Sequence, residues 1–213
     1  MNKPYVISVA APSGGGKTTV VGELKKRLIN SAVLYWDDYG DEVEPDRDIN
    51  DVQDYNEWNT KPMAADIERL LNESHEYIIL DYPFGYMNNC VAKYINLTVF
   101  IDTPLDVAMA RRILRDYTSR SRESDFGLSD VDEVSLKAID EELRWYLSRS
   151  RSTYERFTEA HRPVSNLVVD GTKSPEEIAE VIIEFIEKEG KKYTKKSLPL
   201  IRHFSPLTLF LYG

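Results

Sequence analysis

The chain has 213 residues, 42% of them hydrophobic and 30% charged, a balance that fits one globular domain with at most an inserted lid and excludes a largely disordered chain. Lys and Arg number 27 against 36 Asp and Glu, a net charge of −9, which excludes a chain-wide basic surface for nucleic acid or an anionic membrane but not a local phosphate pocket. Cys90 is the one cysteine, so a disulfide scaffold is excluded. No basic segment leads into an apolar run at Met1–Lys17, and no stretch nears the roughly 20 apolar residues of a span, so the cytoplasm is the expected compartment.

Tyr5–Ala10 is a short β-branched run ending in Pro12 and three glycines, and reads as a buried strand. Val20, Val21, Leu24 and Leu28 recur at helical spacing over Thr18–Asn30. Ala32–Trp36 reads as a second strand. Lys61–Asn72 follows as a helix through Met63, Ile67, Leu70 and Leu71. Tyr77–Leu80 and Leu97–Ile101 are the third and fourth strands. Pro104 opens a helix to about Arg115, with Thr103 expected at its N-cap. Val131–His161 is one long amphipathic stretch. Asn166–Val169 is a fifth strand, and Ser174-Pro175-Glu176-Glu177 caps a last helix to about Lys188. Strands alternating with helices predict an α/β fold, a parallel sheet covered on both faces. Two polar connections, Asp37–Thr60 and Tyr117–Asp130, are long enough to expect function in them.

Ala11-Pro-Ser-Gly-Gly-Gly-Lys17-Thr18 lies between the first strand and the first helix, with the spacing of a phosphate loop and Ala in place of its first Gly. Gly14, Gly15 and Gly16 allow backbone N–H groups to approach a polyphosphate, at the positive end of the following helix. Lys17 suits the β- and γ-phosphates, and the Thr18 hydroxyl suits Mg²⁺. The run Ser13–Thr19 is therefore the candidate nucleotide cradle. Asp37, Asp38 and Asp81 stand at the carboxyl ends of the second and third strands, where open α/β sheets bind ligands. Transfer of a phosphoryl group to a hydroxyl needs an aspartate for the hydroxyl proton and carboxylates toward Mg²⁺. Asp37 directly follows the apolar run and is preferred as base, with Asp38 in reserve; Asp37 and Asp81 are the candidate metal carboxylates. Arg111, Arg112 and Arg115 share a helix face, and Arg120 and Arg122 follow. Arg115, Arg120 and Arg122 are the candidates to neutralise charge on the transferred group.

Together, the phosphate loop, Asp37-Asp38-Tyr39, Val99-Phe-Ile-Asp102-Thr-Pro104 and Ala110-Arg-Arg-Ile-Leu-Arg115-Asp116 resemble the uridine kinase-like branch of P-loop kinases, over roughly residues 5 to 188. The resemblance implies a three-layer α/β/α fold with a five-stranded parallel sheet in the order 2-3-1-4-5 and an Arg-bearing lid at about 117–130. It implies that Asp37 is the catalytic carboxylate, and that Arg115, Arg120 and Arg122 are lid arginines. Asp170-Gly171-Thr172 is similar to the loop that flanks adenine. One departure stands out: the hairpin by which uridine kinases read the base is replaced by a short turn at Asn72–Glu76.

The reading is a single kinase domain over 1–190, followed by a tail at 191–213 that packs on the core or pairs with another subunit. ATP and Mg²⁺ are the expected cofactors, a small-molecule hydroxyl compound such as uridine the acceptor, and neither nucleic acid nor membrane a partner; a homo-oligomer is left open. Asp38, Tyr39, Tyr55 and Trp58 are the candidate acceptor residues. Nine acids and one arginine between Asp37 and Asp54 read for the most part as a solvated loop; in the resembling kinases this region borders the acceptor pocket, where a strongly negative wall would disfavour a nucleotide monophosphate. His75, His161 and His203 match no metal spacing and are expected to be structural. The rival readings are a non-catalytic nucleotide-binding regulator and a P-loop ATPase or GTPase; no Asn-Lys-x-Asp guanine signature is present.

Overall fold

The computed structural model describes residues 3–43, 45, 48–118 and 133–193. Five strands form one all-parallel sheet: β1 (Tyr5–Ala10), β2 (Ser31–Tyr35), β3 (Tyr77–Asp81), β4 (Leu97–Asp102) and β5 (Leu167–Asp170), in the spatial order β2-β3-β1-β4-β5. The helices are α1 (Lys17–Arg27), α2 (Lys61–Leu70), α3 (Asn89–Ala92), α4 (Leu105–Ile113), α5 (Glu133–Trp145), α6 (Arg151–His161) and α7 (Pro175–Tyr193). This is the three-layer fold and the strand order expected.

The central strand is apolar on both faces because both are covered. Ile7 and Val9 meet Val20, Val21 and Leu24 of α1 and Ile178, Ala179 and Ile182 of α7. Val6, Ile78, Leu80 and Tyr82 meet Met63 and Ile67 of α2 and Val91 of α3 on the other face. α1 ends at Arg27 with Leu28 as its C-cap, and Asn30, with a φ of 57°, is the left-handed residue that turns the chain into β2. Ser174 and Glu177 close a reciprocal cap on α7, each side chain accepting from the other's backbone N–H at 3.2 and 2.9 Å.

Several expectations need revision. Pro104, not Thr103, stands at the N-cap of α4, because the Thr103 hydroxyl donates instead to Gly15 O at 2.9 Å. α4 passes at Leu114–Thr118 into a π-helical turn. The long amphipathic stretch is α5 and α6 joined by another such turn, Tyr146–Ser150. The polar connection after β2 holds three 3₁₀ turns, Trp36–Val43, Ile49–Asp51 and Tyr55–Glu57. The turn Gly85–Met87 and the short α3 give no periodic signal in the sequence. Among the described residues, no helix is long and apolar enough to cross a membrane.

His161 is fully buried at the end of α6, stacked on Phe157 with ring centroids 4.0 Å apart and met edge-on by Tyr55. Its Nδ1 lies 2.8 Å from Phe157 O, and burial pushes the imidazole down to about 4. The unfolded chain therefore takes a proton that the folded one refuses as pH falls from the usual histidine range toward 4. The stability this residue contributes is complete above that range and is lost on acidification. We expect it to account for about 3 kcal/mol of the drop between pH 7 and pH 4. Urea unfolding at both pH values checks this: His161→Phe keeps the ring stack and should shrink the drop by about that amount.

Candidate active site

The turn from β1 into α1 must offer backbone N–H groups outward, and its own packing comes from elsewhere. Gly14 and Gly16 have φ values of 80° and 94°, where a side chain is strained. A Cβ on Gly14 would also collide with the carbonyl of Ala108 in α4. α1 begins at Lys17, and the first N–H to close onto the helix backbone from beyond the loop is that of Val20, on Gly16 O at 3.0 Å.

Lys17 reaches the carboxyl end of β3 and forms an ion pair with Asp81, which is 2% exposed. Burial pushes the Lys17 ammonium down to about 8, against the pull of the Asp37 carboxylate.

A cleft of about 1170 Å³ opens above the sheet. One end is lined by the phosphate loop from Ala11 to Thr19. The other is lined by Trp36, Tyr55, Trp58, Phe84 and Phe157, with Asn50, Gln53, Thr153 and Arg156 between the rings. Asp37 lines the cleft and Asp38 does not; Asp38 instead lies near Tyr39, whose hydroxyl donates to Asp66 at 3.0 Å outside the cleft wall. Of the residues picked for the acceptor, Tyr55 and Trp58 thus reach the cleft, and Asp38 and Tyr39 flank it.

Arg111, Arg112 and Arg115 all line the nucleotide end. Arg111 donates to Gly171 O at 2.9 Å. Arg112 is engaged by Glu142 and the Tyr154 hydroxyl, and Arg115 by Asp116 at 2.6 Å. Arg120, Arg122 and most of the expected lid, like the tail beyond Tyr193, lie outside the described residues. Asp170, Gly171 and Thr172 do not line the cleft but stand beside its loop: a Cβ on Gly171 would collide with Thr103, which holds Gly15. Asp170 is spent on its own turn, accepting from Thr172 N and Oγ1.

Among the described residues, Asp37 is the one acid of the segment Asp37–Asp54 that lines the cleft. Asp48 accepts from Asn50 and pairs with Arg149 at 3.3 Å, and Asp54 caps the turn that carries Tyr55. Among the described lining residues, Asp37 is the one carboxylate, against Lys17, Arg111, Arg112, Arg115 and Arg156. Arg156 comes from α6, over a hundred residues further along the chain than the segment it faces, and donates to Asn50 O at 2.8 Å. The sequence reading missed it, and Trp36 and Gln53 as well; no motif marks them.

The oxygen donors fit magnesium. Thr18 and Asp37 line the cleft and Asp81 adjoins it through Lys17. One hydroxyl and two carboxylates, each giving at most one oxygen, leave at least half of an octahedral shell to phosphate oxygens and water, the usual arrangement beside a nucleotide. Among the described residues, no cluster of three His, Cys, Asp or Glu side chains able to hold a metal exists.

The phosphoribulokinase / uridine kinase family model matches residues 50–141. The uridine kinase of Leuconostoc citreum is 25% identical over 198 residues, covering 78% of this chain and 87% of its own. That of Borrelia hermsii is 24% identical over 213 residues, covering 88% and 96%. The chain is thus similar to uridine kinases over most of its length, and these likenesses support a small-molecule kinase. Its fold is shared with the APS kinase CysC of Mycobacterium tuberculosis, solved with AMPPNP and APS, at 18% identity and a TM-score of 0.54 over 88% of this chain and 99% of that one. TT1252 from Thermus thermophilus is similar at 17% identity and a TM-score of 0.50, over 88% and 98%.

The lowered Lys17 has a measurable consequence for this kinase. Around pH 8 part of the free enzyme carries a neutral Lys17, and an arriving triphosphate restores its proton. ATP binding should take up protons near pH 8 and weaken as the pH climbs further. Calorimetry in buffers of different ionisation enthalpy measures the uptake; we expect it to vanish in Lys17→Met.

Proposed function

We propose that this kinase transfers the γ-phosphate of Mg·ATP to a hydroxyl of an uncharged, ring-bearing small molecule, a nucleoside such as uridine. The observation that carries the reading is the continuity of the cleft: the phosphate loop and Asp37 at one end share one cavity with a wall of aromatic rings at the other. Open space of this kind suits an acceptor and argues against a regulator with a filled cleft. The names of the curated relatives point to the same acceptor class.

Each residue then has a role. Ser13 to Thr19 cradle the phosphates. Lys17 leaves Asp81 for the β- and γ-phosphates. Thr18, with Asp37 and Asp81 directly or through water, holds Mg²⁺, which when bound neutralises phosphate charge. Asp37 takes the proton of the acceptor hydroxyl as its oxygen bonds to the γ-phosphorus and the bond to the departing ADP breaks. Arg115, joined by Arg120 and Arg122, balances the charge on the transferred group. Asp170-Gly171-Thr172 flanks the adenine. Tyr55 and Trp58 present ring faces to the acceptor, while Asp38 and Tyr39 flank the cleft, Tyr39 with its ring 6.2 Å from that of Trp36. The preference for an uncharged acceptor no longer rests on the acids. A phosphate dianion calls for a clamp of cations, and at the acceptor end the described residues supply Arg156 alone, already engaged on Asn50 O.

ADP release with uridine, cytidine, other ring-bearing alcohols and the matching monophosphates tests the substrate class. A monophosphate outpacing every neutral alcohol would overturn it. In the same assay Asp37→Asn should lower kcat by roughly 100-fold or more, the scale of general-base catalysis. ATP affinity should stay within a few-fold, and Asp38→Asn should do far less. Lys17→Ala should nearly abolish turnover.

A further inference from the structure

Asn88 lies at the N-cap of α3, behind the aromatic wall and 1% exposed, and its amide uses its full hydrogen-bonding capacity. Its Oδ1 accepts from the Thr60 hydroxyl at 2.7 Å and from Cys90 N at 3.0 Å. Its Nδ2 donates to Tyr55 O at 2.8 Å and to Trp58 O at 3.2 Å. The orientation follows from the partners: reversed, the amide oxygen would face two carbonyls and the NH₂ group a backbone N–H. One side chain thus holds both ends of the 3₁₀ turn Tyr55–Glu57, whose Tyr55 and neighbouring Trp58 line the cleft. The next residue adds a second tie, Asn89 N donating to Asn56 Oδ1 at 2.9 Å.

The turn needs such a clamp. Its own backbone bonds each span only three residues, Glu57 N to Asp54 O and Trp58 N to Tyr55 O at 3.1 and 3.4 Å, and no α-helix or strand contains it. The rings are fixed on one side by Phe84, with centroids 5.6 Å from Tyr55 and 5.1 Å from Trp58. Phe84 belongs to the same β3–α3 connection as Asn88, so that connection supplies both the packing surface and the clamp.

We propose that Asn88 is a positioning residue for the acceptor: by holding the carbonyls of Tyr55 and Trp58 it sets the separation of their rings from Phe84 and so the width of the acceptor end. It touches neither substrate and acts only through those two residues. This rests on the reading of Tyr55 and Trp58 as acceptor wall, and the experiment separates the two.

Asn88→Asp keeps the shape and both accepted bonds but replaces the two donors by an oxygen facing two carbonyls. Thr60→Val is the control: it removes a buried bond to the same amide and leaves the clamp. Amide exchange over residues 54–60 should speed up about 10-fold or more in Asn88→Asp, with residues 11–19 unchanged. The KM for uridine should rise by a similar factor while ATP affinity stays within about twofold. Thr60→Val should lower the Tm and leave the KM for uridine near wild type. Asn88→Ser, which keeps a capping oxygen but has a single short hydroxyl in place of the two amide donors, gives the same comparison should the aspartate not fold. Unchanged exchange over 54–60, or uridine and ATP binding weakened alike, would overturn the positioning role. Tyr55→Ala and Trp58→Ala address the acceptor wall itself: if neither changes the KM for uridine, that reading fails, whatever Asn88 does to the turn.

Discussion

A loop that presents its N–H groups to a polyphosphate cannot also use them to hold itself in place. Here the hold comes from carbonyls and from missing side chains. Gly14 lies against Ala108 O, Gly15 O receives the Thr103 hydroxyl, Thr103 fills the space beside Gly171, and Gly171 O receives Arg111. This chain of contacts runs from the loop after β1 across the end of β4 to the loop after β5, the three neighbouring strands on one half of the sheet. The loop is thereby rigid before nucleotide arrives, and preorganised dipoles cost nothing to align at the moment of reaction.

Charge is arranged by the same economy of neighbours. In a chain of net charge −9, five cations and one carboxylate line the cleft among the described residues. The acids that might oppose a triphosphate are drawn away by partners of their own: Asp48 and Asp51 by Arg149, Asp54 by Asn56, Asp116 by Arg115, Asp102 by Arg162. Lys17 is the exception, buried and pressed against Asp81. Its ammonium is desolvated, and a desolvated charge gains more from an arriving phosphate than a solvated one.

What could be read in the sequence was what local rules determine. The helices and strands follow from period and from β-branched runs, the phosphate loop from glycines at fixed offsets, and the cap on α7 from Ser174 and Glu177. Thr103 shows the limit. By local rules it is a good N-cap, yet its hydroxyl has a tertiary partner in Gly15, 88 residues away, and the sequence holds no trace of that competition. The acceptor wall fails for the same reason. Trp36, Tyr55, Phe84 and Phe157 come from four segments with no shared spacing, and α3 has too few residues to show a period. The acids after β2 show a further limit, because a count of charges along the chain says nothing about which way each side chain faces.

The choice between Asp37 and Asp38 illustrates how packing decides chemistry. Two adjacent carboxylates at a strand end are equivalent on composition. Trp36 breaks the tie, being 8% exposed with its ring 5.5 Å from Tyr82 and 5.3 Å from Phe84. An anchored indole of that size fixes the rotation of the 3₁₀ turn that begins with it, since any other rotation would expose the ring and forfeit roughly 1.5–3 kcal/mol of burial. With Trp36 inward, Asp37 faces the cleft and acts on Lys17, while Asp38 falls toward Tyr39. The residue before the acid therefore does as much to aim it as the acid's own rotamer. The same aromatic cluster also holds Tyr55 and Trp58, so the aim of Asp37 and the shape of the acceptor end are set by one piece of packing.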